Sequence, residues 1–200
     1  MNQTGKYALL SLIFLLFSVE LFSQRFGGGI KAGGNFSQID GDDVAGFNRL
    51  GICGGVYGTA RIKSYLDFKI EFLYSQRGSK STPKQYPVNI ALRYLEVPLI
   101  LSLKDWKSKD EENSYYRVKF DGGLSLGRLF SADAFNNIDE DFKTNDISWL
   151  AGVEYFYHKN FGMGLRYTRS LTPVYRYSIN NVERKMISYY LSLTLNYQFN

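Results

Sequence analysis

The sequence predicts an all-β fold, an eight-stranded antiparallel up-and-down transmembrane β-barrel. Three observations predict it. First, residues 186–199 alternate with a period of two. Ile187, Tyr189, Leu191, Leu193, Leu195, Tyr197 and Phe199 lie on one face, and Ser188, Tyr190, Ser192, Thr194, Asn196 and Gln198 on the other. Second, aromatics make up 16% of the 200 residues, with 16 Tyr, 15 Phe and 19 Gly. That composition suits strands that alternate between lipid and a polar interior. Third, long polar connections alternate with short turns, the asymmetry of a barrel with loops on one side of a membrane and turns on the other.

The elements follow in order. Residues 1–23 read as a signal peptide. Lys6 and the amino terminus form a weakly positive start, and residues 8–19 are apolar except for Ser11 and Ser18. That run is too short to cross a bilayer as a helix and suits a signal-peptide core. Cleavage is expected near Ser23 or Gln24, leaving residues 24–200 as one outer-membrane β-barrel domain. No Cys follows the cleavage site, so no lipoprotein anchor is expected. Strands are predicted at residues 26–36, 50–63, 66–77, 91–104, 114–130, 147–158, 161–169 and 186–199. Most exceed the roughly 9–11 residues that a tilted strand needs to span a bilayer. The segments 37–49, 78–90, 131–146 and 170–185 are long and polar. Short turns fall at 64–65 and 159–160, and residues 105–113 form an intermediate, highly charged connection. Pro98 lacks a ladder donor and predicts a bulge or kink inside its strand.

Alternation assigns the faces. Leu66, Phe68, Ile70, Phe72 and Tyr74 are expected to face lipid, with Asp67, Lys69, Glu71, Leu73 and Ser75 inside. Trp149, Tyr167 and Tyr189 fall at loop-side strand ends, and Tyr157, Phe161, Tyr197 and Phe199 at turn-side ends, as two interfacial girdles require. A soluble barrel alternates too, but places its apolar set inside. Here the polar set carries ionisable residues in mid-strand, which cannot line a dry calyx. The expected location is therefore the outer membrane.

The lumen face carries Glu71, Glu96, Asp121, Glu154, Arg61, Lys69, Lys119 and Arg166, together with Lys31 and Arg117. Eight strands leave only room for side chains. Charges there must pair, because an unpaired buried ion costs several kcal/mol. These residues are expected to form a structural ion-pair network, with no catalytic, cofactor-binding or metal role.

Other chemistry has little in its favour. The net charge of +5 is scattered, with no basic stripe for nucleic acid. Cys53 is the single cysteine, so no internal disulfide is possible. His158 is the single histidine, at a predicted turn; one histidine makes no multi-His metal site. A hydroxyl such as Ser64 on the same side is the nearest approach to a nucleophile and base. Asp133, Asp139, Glu140, Asp141 and Asp146 make the third loop acidic, without the spacing of an EF-hand. Arg169, Arg176, Arg184 and Lys185 make the fourth basic, suited to lipopolysaccharide phosphates.

Several segments carry a family resemblance. Residues 29–37, Gly29 through Ser37, resemble the first strand of the PorT-like outer-membrane β-barrel proteins of Bacteroidetes-type bacteria. Phe72-Leu73-Tyr74-Ser75-Gln76-Arg77-Gly78 and Arg93-Tyr94-Leu95-Glu96-Val97-Pro98-Leu99 are similar to two further family segments. The resemblance spans the chain after the signal peptide. It implies a small outer-membrane barrel. It does not bring the namesake's part in type IX secretion, since no motif here links to it. Asn200 after Phe199 departs from the usual aromatic ending. The expected role is a monomeric structural or interaction protein, an accessory of a secretion or surface complex. Its partners would be outer-membrane lipid, lipopolysaccharide and a protein of the envelope. The alternatives are a narrow ion or small-solute channel and a lipid-modifying enzyme.

Overall fold

A computed structural model describes residues 26–42, 44, 46–82, 88–108, 114–134, 142–179 and 182–199. The signal peptide, Asp139, Glu140 and Asp141 lie outside the described residues. The described chain forms nine strands: β1 (Phe26–Asp40), β2 (Arg49–Lys63), β3 (Leu66–Lys80), β4 (Asn89–Lys107), β5 (Tyr116–Asp133), β6 (Asn145–Phe156), β7 (Phe161–Ser170), β8 (Tyr175–Ile179) and β9 (Val182–Gln198).

Each strand from β1 to β7 pairs antiparallel with the next, and β7 pairs with β9. β1 also pairs with β9, from Gly29 opposite Gln198 to Asp40 opposite Ile187, so eight strands close into a ring. Closure matters because hydrocarbon offers no partner to an open strand edge. The eight-strand reading of the membrane-spanning ring therefore holds, with β9 as its closing strand. The ninth strand corrects the expectation of an irregular 170–185 segment. β7 pairs with β9 only as far as Arg169 opposite Tyr189. Beyond that point β8 takes its place, pairing Tyr175 with Met186 through Ile179 with Val182. Tyr175, Tyr177 and Ile179 alternate with Arg176 and Ser178, a strand signal only five residues long.

Several strands outrun their predicted bounds on the loop side: β1 continues to Asp40, β3 to Lys80, and β4 begins at Asn89. Pro98 does interrupt pairing. Ile70 pairs with Leu99 and Leu73 with Glu96, with no pair between them, yet the register is unchanged across the gap. The shift in β4 lies instead at Arg93 and Tyr94, toward β5.

The faces are inverted relative to a water-soluble domain. Phe72, Leu95, Leu126, Leu193 and Leu195 point outward and are exposed, while Lys31, Asn35, Lys69, Glu71 and Ser188 are buried inside. Aromatic side chains cluster at both rims of the wall. Toward the loops, Trp149 packs on Tyr167 at 5.4 Å, and Phe47 meets Tyr189 edge-on at 5.4 Å. Toward the turns, Tyr157, Phe161, Tyr197 and Phe199 form a chain of ring contacts, the closest being Phe161 to Tyr197 at 4.8 Å. The apolar core is a cluster at the loop end, made by Ile39, Ile90, Leu92, Tyr94, Phe142, Val174 and Met186.

Candidate functional site

The interior is built on one column of β3. Asp67, Lys69, Glu71, Leu73, Ser75 and Arg77 alternate inward from the turn end to the loop end and are all buried. Asp67, the pair Lys69 and Glu71, and Arg77 each anchor one tier of the lumen.

The middle tier brings six groups together. Arg166 of β7 donates from Nη1 to Glu71 Oε2 at 2.7 Å and from Nη2 to Oε1 at 2.9 Å, a bidentate clamp. Lys31 of β1 reaches Glu71 at 2.7 Å and Glu154 of β6 at 3.2 Å. Lys69 reaches Asp121 of β5 at 2.5 Å and Glu154 at 3.0 Å. Asp121 takes a further bond from Ser102 Oγ at 2.6 Å. Lys31, Lys69 and Arg166 thus face Glu71, Asp121 and Glu154, and the tier is neutral. Each charge has at least two partners, which is what a low-dielectric interior demands.

The loop-side tier centres on Arg77. Its Nη2 lies 2.7 Å from Asp146 Oδ2, its Nε 3.8 Å from Glu96, and its guanidinium 3.7 Å above the Tyr94 ring. Asp146 also accepts from Ser148, Ser170 and Thr172. Glu96 accepts from the Tyr190 hydroxyl at 2.9 Å. The turn-side tier holds Lys104 on Asp67 at 2.6 Å. Lys119 there bonds Gln198 at 2.8 Å, with its ammonium 4.2 Å from the Phe156 ring centre.

Of the residues expected in the network, Glu71, Asp121, Glu154, Lys69 and Arg166 meet in the middle tier and Glu96 in the loop-side tier. Lys119 is buried but paired to an amide rather than a carboxylate. Arg61 is the correction. It has the inward parity of β2 and stands opposite Asp67, but it borders the irregularity between Arg61 and Lys63 and is exposed, while Lys104 takes Asp67. Arg77 and Asp146 were not expected there. Arg77 continues the inward parity of the third strand, so the signal was present. Asp146, part of the acidic loop by sequence, stands in β6 inside the wall. Arg169, counted with the basic loop, belongs to β7. Which basic residue meets which acid across the lumen depends on register, which alternation does not encode.

A cavity of about 20 Å³ remains between the middle and loop-side tiers, lined among others by Lys31, Ser125, Glu96, Glu154 and Tyr190. It has room for a water or so. Above it lies the apolar cluster of the loop end. At the turn end, His158 Nδ1 accepts the Asn160 N–H at 3.4 Å, and no hydroxyl reaches it among the described residues.

The sequence profile of the outer membrane protein beta-barrel domain matches residues 22–176. No curated protein matches. Among solved structures, the chain is similar to Ail, the attachment invasion locus protein of Yersinia pestis, at 14% identity and TM-score 0.49, over 86% of this chain and 98% of that one. It is similar to Neisserial surface protein A at 15% identity and TM-score 0.48, over 87% and 97%. It is also similar to OprG of Pseudomonas aeruginosa at 12% identity and TM-score 0.42, over 88% and 94%.

Proposed function

Because the chain belongs to the outer membrane protein β-barrel domain family, and so resides in the outer membrane, we propose that it is a sealed, non-conducting barrel acting through its loop side as a structural or interaction protein. Within the family we place it in the PorT-like group, on the segments at residues 29–37, 72–78 and 93–99. One observation carries the functional reading: six interlocked charges occupy the lumen at mid-height, and the cavity they line measures about 20 Å³. A solute path would need those charges to part, leaving each without its partners. The barrel then offers a rigid frame, and the surface that can meet a partner lies beyond the loop-side girdle.

The test is single-channel recording on the folded protein in planar bilayers. Flat traces at all voltages are expected, and reproducible unitary steps would overturn the seal. Cross-linking in intact outer membranes would then show a partner attached to residues of the loop side rather than the turn side. Lipid turnover by the purified barrel would favour an enzyme instead.

A further inference from the structure

The outer wall is hollowed on one side. Between β1, β7 and β9 lies a groove of about 290 Å³, lined by Phe36, Phe47, Leu165, Leu191, Ser192 and Leu193. Register explains the hollow. Leu193 pairs with Leu165 on one side and with Gly34 on the other. Gly34 occupies an outward position with no side chain, so the wall recedes beneath Phe36. Val44 and Phe47, beyond the end of β1, lie against the outside of the wall. Gln38, outward by parity, is buried and donates to the Val44 carbonyl, and Phe47 roofs the groove against Tyr189.

The groove has a polar rim. On β7 the outward column runs Leu165, Tyr167, Arg169, and on β9 it runs Leu193, Leu191, Tyr189, Ile187, Lys185. Arg169 lies 5.4 Å above the Tyr189 ring and 3.5 Å from Asp40, in a pair largely open to solvent. Such a pair is weak in water and yields to a phosphate, which offers more acceptors and more charge. Lys185 is exposed and stands opposite Arg176 in the hairpin. Apolar hollow, aromatic shoulder and basic rim thus follow one another along a single face, in the order of an outer-leaflet lipid.

We propose that this seam binds one lipid of the lipid A class, an acyl chain lying in the groove and a phosphate held by Arg169 and Lys185. The inference deepens the loop-side binding role proposed above. The seal does not involve this wall, so either reading can fail alone.

Native mass spectrometry of the full-length folded barrel tests it, with diphosphoryl lipid A, monophosphoryl lipid A and phosphatidylcholine as probes. One diphosphoryl lipid A per barrel is expected, with monophosphoryl lipid A weaker and phosphatidylcholine weakest. Leu193→Trp and, independently, Leu165→Trp fill the groove from lipid-facing positions and should lower lipid A occupancy. Met163→Trp, lower on the same wall, should not. Arg169→Gln and Lys185→Gln should each weaken diphosphoryl lipid A about fivefold, with phosphatidylcholine unchanged. Folding of each variant is checked by heat-dependent migration on gels. Wild-type occupancy in both folded groove variants would overturn the proposal. So would equal retention of phosphatidylcholine, or equal loss in Met163→Trp.

Discussion

Glu71 and Glu96 are both buried, sit on adjacent strands and accept from basic or hydroxyl donors, yet they are not equivalent. Glu71 is clamped by Arg166 and bound by Lys31. Glu71→Leu leaves the middle tier with Lys31, Lys69 and Arg166 against two carboxylates, and should cost about 3–5 kcal/mol. Arg77 keeps Asp146 at 2.7 Å without Glu96, so Glu96→Leu mainly strands the Tyr190 hydroxyl, at about 1–3 kcal/mol. Urea unfolding in lipid vesicles measures both, and equal losses would contradict the tiers. Parity marked both carboxylates as inward from the sequence. Their unequal standing was hidden because it is set by Arg166 and Arg77, residues whose reach across the lumen is a property of the closed ring. Trp106 shows another limit of parity. Ser102 and Lys104 face inward, so residue 106 should follow, yet its φ is +51° and its indole is exposed, 6.5 Å from the Tyr155 ring. A left-handed backbone costs a bulky residue about 1–2 kcal/mol. The turn returns that cost in part through the Trp106 N–H on Asp105 Oδ1 at 2.7 Å. The strain aims the ring at the turn-side interface, where tryptophans anchor. In a Trp149→Phe background, fluorescence from Trp106 should be quenched more by lipids brominated near the headgroup than near the chain end. The reverse order would place the indole elsewhere.

At the scale of elements, β9 does two jobs. Its middle closes the ring between β7 and β1, and its first residues form the hairpin with β8. The closing contact is tight. A β-carbon at Gly33 would stand 2.0 Å from the Leu193 carbonyl oxygen, so Gly33→Val should prevent closure where an outward change would not. Deleting residues 191–200 removes the paired stretch from Leu191 to Gln198 and exposes β1 and β7 edges to hydrocarbon. Loss of insertion and degradation in the periplasm are expected, read by fractionation and immunoblot. Normal outer-membrane levels would refute closure by β9. β3, β6 and β9 are legible because each holds its alternation for ten residues or more. β8 is not, because five residues of alternation inside a polar segment do not stand out from a loop. The ends of β1, β3 and β4 also run past the span that alternation marks. On the loop side β1, β3 and β4 bury both faces, as Gln38 with Ile39, Gly78 with Ser79 and Ile90 with Ala91 show, and two-sided burial erases the period.

For the molecule as a whole, two barriers stand in series. The middle tier fills the lumen with charge, and the cluster of Ile39, Ile90, Leu92, Phe142, Val174 and Met186 caps it with apolar side chains. They resist for different reasons. An ion meets desolvation at the apolar cap and occupied space with saturated partners at the charged tier. Series barriers predict that breaching one leaves the barrel sealed. Phe142→Ser with Val174→Ser loosens the cap and leaves the middle tier intact. Glu71→Ala with Arg166→Ala vacates the bidentate clamp while Lys31 and Lys69 still face Asp121 and Glu154, so the tier stays neutral and the barrel should fold, at a cost of a few kcal/mol. Each double variant alone should give flat traces in planar bilayers, and the quadruple variant should give unitary, cation- or anion-biased steps. Conductance from the cap variant alone would mean that the ion pairs part readily and that the middle tier is no seal. Conductance from the clamp variant alone would mean that the loop end is already open to water.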